Sequence, residues 1–196
     1  WDCFTEQMDD ITVYRVPLIP RGKSVLSLSL NYLSFMLSAC VFGPWILRGR
    51  NFDAIFVFAP SPILQAIPAI GLGWLKRCPV LLWVQDLWPE SLSATGHIKH
   101  PFVLKFVEYI VMWIYRHVDL LLVQSRAFIS KVRPLAGVTP IVYFPNSFIE
   151  GVANKSHEKT DCPGFECDFP VLFTGNIGSA QAVEVILEAA TMLKNV

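Results

Sequence analysis

The stretch Asp53–Glu90, DAIFVFAPSPILQAIPAIGLGWLKRCPVLLWVQDLWPE, decides the fold. Two short runs in it, DAIFVFA at Asp53–Ala59 and PVLLWVQ at Pro79–Gln85, are continuously apolar and rich in β-branched and aromatic residues. Such runs mark strands buried in a sheet rather than half-solvated ones. Between them lie Pro60-Ser61-Pro62, a rigid loop, and Ile63–Leu75, long enough for a helix that Pro68, Gly71 and Gly73 bend or shorten. Strand, helix and strand at this spacing form a crossover unit, which makes the two strands parallel.

The alternation continues in both directions. Downstream, Pro101–Arg116 reads as a helix with proline in its first turn, and Asp119–Gln124 (DLLLVQ) as a strand. Arg126–Leu135 follows as a helix and Ile141–Phe144 as a strand. Upstream, Ile11–Val16 reads as a strand ending at Pro17, and Ser24–Leu47 as a long apolar helix. The pattern predicts an α/β fold with a doubly wound parallel sheet, covered by helices on both faces. In such sheets ligands bind beyond the carboxyl ends of the strands. Pro60-Ser61-Pro62, Asp86–Glu90, Ser125 and Asn146 are therefore placed on the ligand side.

From Glu150 to Asp168 the periodicity stops, and residues 149–168 read as an interdomain linker. Phe169–Thr174 then restarts a strand, and Ser179–Lys194 follows as a helix whose Val183, Ile186, Leu187, Ala190 and Leu193 keep helical spacing. The expected organisation is a partial first domain over residues 1–148, the linker, and the start of a second domain over 169–196. One strand–loop–helix unit cannot bury both of its faces, so the second domain is expected to be truncated after it.

Lys plus Arg and Asp plus Glu number 16 each, and no basic run tracks a phosphate backbone, which argues against nucleic-acid binding. Charged residues make up 16% of the chain against about 25% in ordinary soluble domains, so the surface is unusually apolar. Cys162 and Cys167 form one C-x4-C pair with no second pair beside it, and His97, His100, His117 and His157 show no ligand spacing. No metal is expected. No signal-peptide pattern marks the start at Trp1.

Lys23 to Arg48 encloses a stretch without charge that is long enough to span a bilayer. Ser27, Asn31, Ser34 and Ser38, however, fall on one polar stripe of the helix, and Gly43-Pro44 interrupts its end. A helix on a sheet would turn that stripe to water, so a surface helix is expected, with peripheral membrane attachment through it and through the apolar Pro101–Arg116 helix; a membrane-spanning or re-entrant role is the alternative.

Two motifs carry chemistry. Gln85-Asp86-Leu87-Trp88-Pro89-Glu90 follows a buried strand. There Asp86 can bind a sugar hydroxyl or act as a base, Glu90 likewise, and Trp88 offers a stacking face; the plain alternative is that Asp86 caps the next turn, Trp88 is core and Glu90 is solvated. Gly175-Asn176-Ile177-Gly178-Ser179 sits between strand and helix, where glycines admit a ligand to the backbone and Ser179 caps a helix whose first turn favours phosphate. Its spacing fits neither G-x-G-x-x-G nor a P-loop. A tight turn that needs glycine is the plain alternative. Ser61 and Gln85 line the same cleft side as Ser125, and Asn146, in Pro145-Asn146-Ser147, suits a hinge.

DAIFVFAPSPILQAIPAIGLGWLKRCPVLLWVQDLWPESLSATG, DLLLVQSRAFISKV, YFPNSF and VLFTGNIGSAQAVEVILEAA together resemble family-four retaining glycosyltransferases of the GT-B fold. The likeness is to bacterial enzymes of O-antigen and capsule synthesis, including N-acetyl-L-fucosamine transferases, and it runs from about Ile11 to the end. It implies two Rossmann-like domains, the first here lacking its start, and a nucleotide-sugar donor held mainly by the second. It implies transfer with retention to a lipid-linked glycan on the cytoplasmic leaflet, with no cofactor and no obligatory metal. Gly175, Asn176, Ile177, Gly178 and Ser179 would lie beside the donor diphosphate.

Several departures accompany the likeness. Gln85-Asp86 stands where many members carry a donor-contacting His, which fits a donor lacking a 6-hydroxyl. Ala182 stands where Gly often follows the Gln. The glycine-rich acceptor loop and the second domain's basic residues and paired glutamates are not in this sequence. The main catalytic carboxylates are thus expected beyond Val196, and the fragment by itself is expected to be inactive. The competing readings are a nucleotide-sugar 2-epimerase of the same architecture and a non-catalytic partner subunit.

Overall fold

The structure is a computed structural model that describes residues 4–22, 24–94, 100–147, 172–175, 177 and 181–193. The chain divides into two compact units, Trp1–Pro145 and Asn146–Val196.

The first unit opens with an antiparallel hairpin, β1 (Phe4–Met8) and β2 (Ile11–Arg15), turned at Asp9 in the left-handed region and tied by an ion pair between Arg15 and Glu6. The strand expected near Ile11 is therefore not part of the main sheet. It pairs only with β1, in a separate two-stranded sheet. Helix α1 (Val25–Ile46) follows, started by Ser24, whose hydroxyl accepts from the Ser27 amide while Ser27 Oγ accepts from the Ser24 amide. That reciprocal arrangement satisfies two amides that a helix start leaves open.

The remaining elements are β3 (Ile55–Ala59), a 3-10 turn at Ile63–Gln65 running into α2 (Ala66–Lys76), and β4 (Val80–Val84). After these come α3 (Glu90–Ala94), α4 (Pro101–Arg116), β5 (Leu120–Val123), α5 (Arg126–Ala136) and β6 (Ile141–Tyr143). β3, β4, β5 and β6 form one parallel sheet in that order, with Val57 opposite Leu82, Leu82 opposite Leu121 and Leu121 opposite Ile141. This is the Rossmann-like α/β arrangement that the periodicity predicts.

Helices bury one face of the sheet. Val57, Ala59, Val80, Leu82, Val84, Leu121 and Val123 point into a core shared with Ile70 of α2, Ile114 and Tyr115 of α4 and Val132 of α5. On the opposite face Phe56, Phe58 and Phe144 are exposed around a half-buried Trp83, whose indole N–H donates to the Phe144 carbonyl at 3.0 Å. Among the described residues, then, the sheet is covered on one face and not on both. The aromatic runs reflect an aromatic outer face as well as a core.

α1 also departs from expectation. Its polar stripe is turned against the protein: Asn31 Nδ2 donates to the Ile19 carbonyl at 2.5 Å, and the Ile19 amide donates to Ser34 Oγ at 3.0 Å. Ser27, Asn31, Ser34 and Ser38 are all partly buried, whereas Leu26, Leu30, Leu33, Leu37, Val41 and Trp45 are exposed. The physical reason is that Pro17–Gly22 runs alongside the helix and needs hydrogen-bonding partners, which the stripe supplies.

In the second unit, residues 172–174 are not a strand, and helix α6 spans Val183–Met192 with no buried residue. The linker over 149–168 lies outside the described residues, as do Phe169–Val171 of the expected strand.

Candidate functional site

The carboxyl ends of β3, β4, β5 and β6 lie along one edge, because the strands are parallel and in register. The strand order runs one way, with no reversal among the described residues. What defines the candidate site is therefore the edge itself and the residues that follow each strand.

Gln85 closes β4. Its amide donates to the Ala59 carbonyl at 3.3 Å, extending the β3–β4 ladder, and its carbonyl accepts from Gln124 Nε2 at 2.6 Å. The two glutamines occupy matching positions, each after a valine that ends its strand. Gln124 thus clamps the β4 and β5 ends together, a role the sequence reading missed although the repeated Val-Gln signalled it. Gln85 Nε2 is buried without a hydrogen-bond partner among the described residues, and so is Trp88 Nε1.

Asp86 sits next, half-buried, with no hydrogen-bond or ion-pair partner among the described residues. Burial pushes its carboxyl above the ordinary value, since a charged carboxylate loses hydration there. A carboxylate that is half-dry and unclaimed by the fold is suited to accept a hydroxyl proton or to hold a sugar hydroxyl.

Trp88 does not offer the stacking face expected of it. Only 8% of it is exposed, and it belongs to the core. The chain turns inward here through a cis Trp88-Pro89 bond, and the ring packs towards Ile63, Leu92 and Val103. Glu90 begins α3 and is exposed. Its charge bears on Tyr115, buried on α4 with a hydroxyl that has no partner among the described residues. Burial first, and Glu90 second, push that phenol well above its ordinary value. Tyr115 was not foreseen, because an aromatic residue on an apolar helix reads simply as core.

Ser61 precedes a cis bond to Pro62 and is exposed at the end of β3. Ser125 caps α5: its hydroxyl accepts from the Ala127 amide at 3.3 Å, and its carbonyl accepts from Phe128 at 3.1 Å. The structure thus brings Ser61, Gln85, Asp86 and Ser125 to one sheet edge, keeps Glu90 near it and withdraws Trp88.

Asn146 opens the second unit and is exposed. In the glycine loop, Gly175 has φ +152 and Ile177 is exposed, while Asn176, Gly178 and Ser179 lie outside the described residues. Ala182 precedes α6 at φ 46 and ψ 45, the left-handed region that glycine enters freely and alanine does not.

A parallel α/β sheet with half-buried polar groups beyond its strand ends defines the class, a Rossmann-like ligand-binding domain. Comparison with known proteins narrows it. The glycosyl transferase 4-like domain matches residues 1–147, and the chain belongs to that glycosyltransferase family. It is 26% identical to glycosyl transferase WcaI of Escherichia coli K12, named for colanic acid biosynthesis, over 94% of this chain and 47% of that protein. It is 25% identical to the glycosyltransferase WbjE of Pseudomonas aeruginosa, over 91% of this chain and 44% of that one. The chain spans about half the length of these relatives.

Proposed function

We propose that the whole protein is a retaining glycosyltransferase of bacterial surface-polysaccharide synthesis. It moves a hexose or N-acetylamino sugar from a nucleotide-sugar donor to a lipid-linked glycan, at the cytoplasmic face of the membrane and without a cofactor or bound metal. The observation that carries this reading is Asp86, a half-buried carboxylate free of partners among the described residues, at the carboxyl edge of a glycosyltransferase-family sheet. The name of WcaI, with its colanic acid assignment, supports the polysaccharide setting.

In this reading Asp86 accepts a hydrogen bond, or the proton, from the attacking hydroxyl of the acceptor. Gln85 Nε2, buried and unpartnered among the described residues, is a donor available to a sugar oxygen. Ser61 and Ser125 border the acceptor, Glu90 is an auxiliary carboxylate, and Asn146 is the hinge. Gly175–Ser179 approaches the donor diphosphate.

The test is a panel of radiolabelled nucleotide sugars incubated with the full-length protein and membranes of a polysaccharide-producing bacterium. Label entering the organic-solvent extract, from a 6-deoxy donor above all, is the expected result. Interconversion of free nucleotide sugars with no label in lipid would instead identify the epimerase.

A further inference from the structure

α1 is apolar nearly all round and leaves one apolar side open, an unusual arrangement for a helix in water. Ser27, Asn31, Ser34 and Ser38 lie on its partly buried side, and Leu26, Leu30, Leu33, Leu37, Val41 and Trp45 form one exposed stripe at spacings of three and four. At 22 residues the helix runs about 33 Å, and none of its residues is buried. α4 carries a second stripe of the same kind, Phe102, Phe106, Tyr109 and Trp113, all exposed. The two helices are neighbours: adjoining apolar grooves of about 430 and 540 Å³ share Leu33 of α1 and Phe106 and Ile110 of α4. The result is one broad apolar face rather than scattered exposed residues.

Charge identifies what covers it. From Ile11 to Phe52 the sequence carries Arg15, Arg21, Lys23, Arg48 and Arg50 and no Asp or Glu. Four of these bracket α1, two ahead of its start and two beyond its end. A second copy docked by two-fold symmetry would set these basic ends against basic ends, with no carboxylate on the segment to relieve them. An anionic lipid surface meets both requirements, hydrocarbon for the stripe and negative charge for its ends. Trp45, next to Arg48, has the amphipathic ring that settles at a headgroup boundary.

We propose that the joint face of α1 and α4 inserts into an anionic lipid bilayer with α1 lying in the plane of the membrane. The helix does not span in this reading, because Asn31 and Ser34, both bonded to Ile19, would have to leave the protein to do so. The inference deepens the membrane contact of the proposed function, rests on that part of it, and assigns the contact to particular side chains.

The test is co-sedimentation of the full chain with phosphatidylcholine vesicles and with vesicles that also carry phosphatidylglycerol, without donor or acceptor. The protein is expected to bind the anionic vesicles more strongly and to lose binding as salt is raised. The double variant Leu30→Glu/Leu37→Glu replaces exposed side chains and is expected to keep its circular dichroism while partitioning on the order of 100-fold less. Arg48→Ser/Arg50→Ser is expected to weaken only the anionic binding, on the order of tenfold. Val138→Glu, on a fully exposed loop site, is expected to change nothing. Undiminished binding by the folded leucine variant would overturn this face while leaving membrane contact standing. No binding by the folded wild-type chain would overturn both. Neither result bears on glycosyl transfer, which is read with a detergent-solubilised acceptor.

Discussion

Asp86 and Arg77 show how single residues are set by their surroundings. Burial raises the Asp86 carboxyl, so the folded state holds its proton more tightly than the unfolded chain does. Between the ordinary carboxylate value near 4 and the raised one, folding therefore takes up a proton, and stability falls as pH rises through that window. Asp86→Asn is expected to remove this slope, so melting temperatures of the two proteins should converge at low pH and favour the variant near neutrality. Parallel curves would show that burial at Asp86 has no thermodynamic consequence. Arg77 ends α2 in the left-handed region, at φ 55 and ψ 42. A Cβ there costs about 1 kcal/mol that glycine avoids, so Arg77→Gly is expected to raise the denaturation midpoint. Ala182 has the same geometry before α6, which gives a physical reason for the glycine that resembling proteins often carry there. The sequence shows that Ala182 departs from a pattern, but only the backbone angle shows what the departure costs. Trp88 marks the opposite limit, since an aromatic residue after a strand is equally consistent with a sugar platform and with core.

Among the elements, α4 is readable to its ends, Pro101–Arg116, because proline fixes its first turn and a strand follows within a few residues. α2 is readable with a bend, and its glycine proves to be a packing device. A Cβ on Gly73 would come within 2.4 Å of Val80 Cγ2 and 3.2 Å of the Cys78 carbonyl. Gly73→Ala is accordingly expected to destabilise the first unit by about 1–3 kcal/mol in chemical denaturation. An unchanged midpoint would mean that α2 and β4 are not held this closely. The face that α1 presents was not legible. Periodicity separates a polar stripe from an apolar one, but it does not say which of them meets the protein. The usual assignment presumes water outside, and α1 reverses it where Asn31 and Ser34 bond the Ile19 backbone. β1 was missed because its polar FTEQM run lacks an apolar period.

At the scale of the molecule, the parallel order β3-β4-β5-β6 collects post-strand residues from distant parts of the chain at one edge. That edge was legible, because βαβ spacing fixes strand direction and strand direction fixes the ligand side. The clamp between Gln124 and Gln85 and the proximity of Glu90 to Tyr115 depend on side-chain packing, which no local pattern records. The edge and the apolar helical face are both features of the first unit. In the proposed function this edge serves glycosyl transfer through Asp86. Its most direct test is the initial rate of sugar transfer to a detergent-solubilised lipid-linked acceptor by full-length wild type and Asp86→Asn. The two proteins are matched for folding by circular dichroism. Transfer by the wild type and a loss on the order of 100-fold or more in kcat for the variant are expected. Wild-type rates in the folded variant would contradict this role of Asp86.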